Sequence, residues 1–187
     1  MKLSYILLFL SVLSNSLRAS QEQFIIRQLN YFDQQEVKQV CDIFKDEEIQ
    51  ERAHATPNVI NYEIQNTRVV QLTKYKDHPS VWNFIICQTS SNPSQVCGML
   101  AFSKREDTAR LMALAVKNEF RRQGIASALL SDFEQNQISS SVNCLYVNPE
   151  CRIYDNEQAI ACLRKNGFQR SFFDFFGMEK NLHLKNK

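Results

Sequence analysis

The chain is 187 residues long, enough for one domain with a complete core, and its 44% hydrophobic and 22% charged content is ordinary for a globular protein. The net charge of +2 is weak and Lys and Arg gather on no predicted element, which argues against a nucleic-acid partner. The six cysteines form no Cys-x-x-Cys pair and only three histidines are present, so no metal site is expected.

The first 20 residues stand apart. Met1-Lys2 is a short positive start, Leu3–Leu13 is apolar apart from breaks at Ser4 and Ser11, and Ser14-Asn15-Ser16 leads into Arg18-Ala19-Ser20. This is the three-part layout of a secretory signal peptide with cleavage after Ala19, although Leu17 stands where a small residue is usual. The stretch is short for a bilayer span. Residues 1–19 are therefore read as a signal peptide or an N-terminal anchor, giving an exported or membrane-tethered protein; an extra helix on a cytoplasmic protein is the plain alternative. Residues 23–182 are the domain, and 183–187 a basic, solvated tail.

Phe24–Leu29 reads as the first strand. Asp33–Phe44 reads as a helix, with Val37, Val40, Cys41 and Phe44 on one face and Asp33 as its N-cap. A second helical stretch covers Glu47–Ala55. Pro57–Tyr75 has no clear period, and Arg68–Leu72 within it is read as a strand. Val81–Thr89 and Gln95–Ser103 form a hairpin centred on Asn92. A symmetric hairpin places Cys87 opposite Cys97 and permits a disulfide; six ordinary, mostly buried thiols are the alternative. Leu111–Val116 is a buried strand, Gly124 to Gln137 a helix, Val142–Val147 a strand and Asp155–Asn166 a helix. The last strands are Gln169–Phe176 and Met178–Leu182.

The densest chemical signal is Arg121-Arg122-Gln123-Gly124-Ile125-Ala126, between the Leu111–Val116 strand and a helix with Ile125, Leu129 and Phe133 on one face. The first N–H groups of a helix have no internal partners, and the helix dipole adds positive charge there. Gly124 lets the backbone approach a ligand closely. Arg121 and Arg122 add charge-assisted donors. Together they make a pyrophosphate site.

The order R-x-x-G-x-A after Leu114-Ala115-Val116 resembles the cofactor motif of the GNAT superfamily of acyl-CoA-dependent N-acetyltransferases. Three further features are similar: Asn156 with a helix running into Gly167-Phe168, Gly98 in the third strand, and the ending Met178-x-Lys180-x-Leu182. The resemblance implies a mixed α/β fold, with a mostly antiparallel, twisted central sheet flanked by helices and two splayed parallel strands at the cofactor site. It implies acetyl-CoA as co-substrate, without metal, held by Leu114, Ala115, Val116, Arg121, Arg122, Gln123, Gly124, Ile125, Ala126, Ser127 and Asn156. The reaction implied is direct attack of a primary amine on the thioester in a ternary complex, with a backbone N–H near Ala115 or Val116 polarising the carbonyl. The acceptor is unspecified, and the protein is a monomer or homodimer.

Two positions depart from the pattern. Where many members carry a tyrosine that protonates the leaving thiolate, this chain has Leu163. Where some carry a basic glutamate, it has Tyr146, whose reference pKa of about 10 makes it a poor base. Tyr146 or Tyr154 is the candidate proton donor, and Glu150 or Asp155 a base acting through water. Phe172-Phe173-Asp174-Phe175-Phe176 either borders the acceptor site or a dimer contact, or packs on the core. The competing readings are an acyl-CoA binder with weak or no catalysis and an exported interaction module.

Overall fold

The computed structural model describes residues 23–45, 56–71, 81–138, 141–147, 157–171 and 177–182. In chain order the elements are β1 (Phe24–Gln28), α1 (Gln34–Ile43), α2 (Pro57–Gln71), β2 (Asn83–Thr89), β3 (Val96–Arg105), β4 (Thr108–Val116), α3 (Ile125–Asp132), β5 (Cys144–Val147), α4 (Glu157–Lys165), β6 (Gln169–Arg170) and β7 (Met178–Asn181). The strands form one seven-stranded sheet in the order β1-β2-β3-β4-β5-β7-β6. Every neighbouring pair is antiparallel except β4 and β5, which are parallel, as strands joined through a helix must be. This is the mixed α/β architecture expected.

Two apolar clusters sandwich the sheet. On one face Val37, Val40, Ile43 and Phe44 of the α1 segment and Ile60 and Ile64 of α2 cover Phe84, Ile86, Met99 and Ala101. On the other, Ile125, Leu129, Leu130 and Phe133 and Leu163 of α4 cover Ile85, Leu100, Phe102, Leu145 and Val147. The alternation along β2, Phe84 and Ile86 one way and Ile85 and Cys87 the other, is the period of two that a doubly covered strand requires.

Local chemistry sets the helix ends. Asp33 caps α1, its carboxylate accepting from the Gln35 and Glu36 N–H groups. The α4 terminus closes through Gly167 at φ 87°, with Gly167 N–H on Arg164 O at 2.9 Å and Phe168 N–H on Leu163 O at 3.0 Å. That pair of bonds is the Schellman closure, which needs a left-handed residue. The cofactor-side helix continues past Asp132 as a five-residue π-helical turn, Phe133–Gln137.

Several boundaries differ from expectation. The stretch Pro57–Gln71 is a helix throughout, so no strand exists at 68–71. Thr56 caps it through Val59 N–H, and Pro57 takes the first helical position, where a missing N–H costs nothing. Among its described side chains, which end at Arg68, only Ile60, Ile64 and Thr67 are buried, too few to give a clear period, and the sequence pair Val69-Val70 carries strand propensity. β4 begins at Thr108 rather than Leu111, because a two-residue turn at Glu106-Asp107 folds it directly onto β3. β6 is only Gln169–Arg170.

The cysteine hairpin is offset by one residue. Cys87 faces Gly98, and Cys97 is the extra residue of a bulge in β3. Its thiol donates to Cys87 O at 3.0 Å. The hydrogen bond with Cys97 and then burial push the Cys87 thiol well up. All five described cysteines are free thiols. The leader, the stretch Glu47–Ala55, Cys151, residues 172–176 and the 183–187 tail lie outside the described residues. Among the described residues no helix is long and apolar enough to cross a membrane.

Candidate functional site

The site begins where the parallel ladder stops. β4 and β5 pair from Thr108↔Cys144 to Leu111↔Val147. Beyond that register, Ala113–Val116 of β4 pair with β3 and, among the described residues, with no second strand. A bulge sits at this point, because Ala101 faces Ala113 while Phe102 faces Leu111, leaving Met112 as the extra residue. It reverses the side-chain alternation: Ala109 and Leu111 pack under α3, whereas Ala113 and Ala115 pack under α1 and α2.

The backbone of this half-strand has a defined direction. Lys117 N–H donates to Cys97 O at 2.9 Å, across the Gly98↔Val116 pair. Val116 is therefore in a non-hydrogen-bonded pair with β3, and by alternation the N–H groups of Val116 and Leu114 turn toward the open β5 side. Of the two positions expected near the oxyanion, Ala115 and Val116, it is Val116 whose N–H turns away from β3, with Leu114 one repeat below.

The loop that follows carries two left-handed residues, Arg122 at φ 64° and Gly124 at φ 85°. A left-handed arginine is uncommon; the other left-handed non-glycine residue described, Glu106 at φ 50°, sits in the β3–β4 turn. Arg121 is half-buried and its Nε donates to Val116 O at 3.2 Å, tying the loop to the end of β4. Arg122, Gln123 and Gly124 are exposed. A Cβ at Gly124 would meet no protein atom within 4 Å, so this glycine is required for its conformation and the space above it is open. Gly124 gives α3 no side-chain cap, so the N–H groups of Ile125, Ala126 and Ser127 have no partner within the helix. A run of such donors beside left-handed residues forms an anion-binding concavity. Gly98 is what lets α3 come this close: a Cβ there would lie 3.0 Å from Ile125 Cγ2 and 3.2 Å from Ala115 O.

Ser127 in the first turn of α3 meets the end of α4. Its Oγ accepts from Asn166 Nδ2 at 3.1 Å and lies 4.0 Å from Cys162 Sγ. Leu163, at the position where the resemblance implies a tyrosine, is 1% exposed and packs in the core.

Tyr146 is on the opposite face of β5 from Leu145 and Val147. The Arg110 guanidinium sits over its ring at 5.9 Å. A Cβ at Gly177 would lie 2.6 Å from the Tyr146 hydroxyl, so the phenol leans past Val147 and toward β7, the neighbour of β5 on the side away from β4. Sequence reasoning missed Glu179, which lies across from Tyr146 on β7 and accepts from Ser171 Oγ at 2.7 Å. The only signal was its alternation with Met178 and Lys180; the register supplied the rest. Burial and then the Glu179 charge push the Cys144 thiol up, against a role as nucleophile. Tyr154, Asn156, Glu150, Asp155 and Asp174 lie outside the described residues. No group of three or more His, Cys, Asp or Glu among the described residues is arranged to hold a metal ion.

Residues 82–170 match the sequence profile of the acetyltransferase (GNAT) domain. No curated protein matches the chain in sequence. Three solved structures illustrate its likeness in fold. The PaiA N-acetyltransferase of Thermoplasma acidophilum in complex with coenzyme A is 16% identical, with a TM-score of 0.62 over 85% of this chain and 99% of that one. A GNAT-family acetyltransferase of Staphylococcus aureus is 12% identical, with a TM-score of 0.64 over 86% and 99%. The ribosomal-protein-S18-alanine N-acetyltransferase of Escherichia coli is 16% identical, with a TM-score of 0.55 over 86% and 94%.

Proposed function

On a domain that belongs to the GNAT superfamily, we propose an N-acetyltransferase that moves the acetyl group of acetyl-CoA to a primary amine by direct attack in a ternary complex. One observation carries the reading. The N–H groups of Val116 and Leu114 turn into the gap beside β5, continuous with the unpaired N–H groups at the start of α3. These residues fit acetyl-CoA, which would supply the activated acyl group. The Arg122–Ser127 backbone binds diphosphate, with Arg122 adding charge. Val116 N–H polarises the acyl carbonyl.

Holding amine and thioester together supplies most of the rate. Tyr146 is the proposed proton donor to the departing sulfur, as the tyrosine that β5 carries next to the end of its parallel ladder with β4, with Tyr154 in reserve. Glu179 gives the acceptor side a negative charge suited to an ammonium group. Asn156 is assigned to the cofactor from the motif. The leader is assigned to export or tethering, which N-terminal sequencing of the mature protein tests: an intact Met1 in the soluble fraction would refute it.

Calorimetry of acetyl-CoA with the full chain is the deciding experiment. Micromolar binding that Gly124→Val removes is the expected result. A folded chain that takes up no acetyl-CoA at millimolar concentration would refute the reading. The burial of Leu163 favours one alternative, an acyl-CoA binder with little turnover, since that position supplies no acid to the thiolate. Binding without acetylation across a screen of peptide, polyamine and small amine acceptors would decide for it.

A further inference from the structure

We infer that Asn166 is a positioning residue for the cofactor site: it orients the Ser127 hydroxyl so that its proton is presented to the diphosphate. The inference rests on the acetyl-CoA reading above and deepens it. Asn166 Nδ2 makes two short bonds, one to Cys162 O at 2.8 Å and one to Ser127 Oγ at 3.1 Å. The first fixes which way the amide faces, because a flipped amide would set Oδ1 against the Cys162 carbonyl, two acceptors with no proton between them. Nδ2 must therefore face Ser127, and Ser127 Oγ is obliged to accept. A hydroxyl that accepts on one side has its own proton free to donate on another. The neighbouring Cys162 Sγ, at 4.0 Å, is at the outer limit for a hydrogen bond to sulfur. The proton is left for a ligand at the start of α3.

The rest of the turn holds Asn166 in place. Its carbonyl accepts from Lys180 Nζ at 2.7 Å, and Lys180, buried on β7, also pairs with Glu134 beyond the end of α3. Asn166 is followed by the left-handed Gly167. One buried cation and one amide thus brace both ends of the cofactor helix against the turn that closes α4. The resemblance places Ser127 among the cofactor residues but gives no reason for Asn166 to matter to it, since the two are 39 residues apart.

The test is a double-mutant cycle on the full chain with CoA and pantetheine, the latter lacking the diphosphate. Ser127→Ala and Asn166→Ala should each weaken CoA binding by about ten- to a hundredfold, the value of a hydrogen bond to a charged group. The double variant should lose no more than either alone. Pantetheine affinity, read by saturation-transfer NMR, should not change in any of them; a merely structural Asn166 would weaken both ligands. Asn166→Asp carries the test if the alanine variant does not fold, because it keeps the size and removes the donor. It should lose CoA affinity at least as strongly, and adding Ser127→Ala should cost nothing further. Losses that multiply, or a Ser127→Ala variant with wild-type CoA affinity, overturn the inference. Absence of CoA binding by the wild-type chain overturns the cofactor reading and this inference with it, so the two failures are distinct.

Discussion

Gly98→Ala is the sharpest test of how the sheet and the cofactor loop depend on one another. The added methyl would sit 3.0 Å from Ile125 Cγ2, 3.2 Å from Ala115 O and 3.3 Å from Val116 Cγ2. Ile125 is 1% exposed and opens α3, and Ala115 O is backbone inside the ladder, so neither neighbour moves freely. Overpacking of this kind costs about 1–3 kcal/mol. Replacing a strand glycine by alanine returns about 0.5–1 kcal/mol by restricting the unfolded chain. The net expectation is a loss of about 0.5–2 kcal/mol, or a fall in Tm of about 1–8 °C for a chain of this size. The strain is relieved by shifting α3 or the Val116 end of β4, both of which donate to the proposed ligand, so acetyl-CoA affinity should fall about two- to tenfold. Urea denaturation and calorimetry on the same sample give both numbers. A variant as stable as wild type with unchanged affinity would refute the coupling between β3 and the loop.

Three further outcomes follow from the same contacts. Gly124→Val should lose about 1–3 kcal/mol through its left-handed backbone alone, whereas Gly124→Asn, which tolerates that conformation, should lose clearly less; equal losses by thermal denaturation would refute a conformational cause. Lys180→Met removes the buried cation that pairs with Glu134, whose side chain is 15% exposed, and should cost about 1–3 kcal/mol, and a loss below about 0.5 kcal/mol would show that the pair contributes little. Burial raises the Tyr31 phenol from 10.0 to about 12, its hydroxyl accepting from Phe84 N–H at 3.0 Å. The raised value favours the neutral phenol in the fold, so its stabilisation is complete below pH 10 and is lost as pH climbs to 12, about 2–3 kcal/mol in all. Tyr31→Phe should flatten that part of the stability–pH curve, and an unchanged slope would refute the assignment.

What the sequence disclosed follows a physical line. β2, β3, β5 and α1 were legible because each buries a face, and burial writes a period into the residues. α2 was not, because Ile60, Ile64 and Thr67 are the only buried positions among its described side chains and Val69-Val70 pull the local propensity toward a strand. The bulges at Cys97 and Met112 were also invisible. A bulge adds one residue without changing composition, and its trace, two successive side chains on the same face, emerges only once the register is known. The cost of missing the first was to set Cys87 directly opposite Cys97, when Gly98 takes that place.

The site divides along the same line. Its anion-binding half was legible because a left-handed turn at a helix start demands glycine, and demand for one residue type is what a motif records. The reacting half proposed for it is mostly backbone: the Val116 N–H keeps its direction whatever its side chain, because that direction follows from a bond between Lys117 and Cys97 that no residue type dictates. Side chains around it are correspondingly free to vary. A thiol with pKa of about 8.5 leaves without much help, and acid–base assistance adds about 10²–10⁴-fold to a rate that positioning already supports. Leu163 in the core is then compatible with turnover, provided the Tyr146 hydroxyl does the donating. That condition is testable once an acceptor is in hand. Tyr146→Phe should lower kcat by about 10²-fold or more while leaving the KM for acetyl-CoA unchanged. If kcat is untouched, no side chain at this position protonates the sulfur, and catalysis rests on the Val116 N–H and proximity.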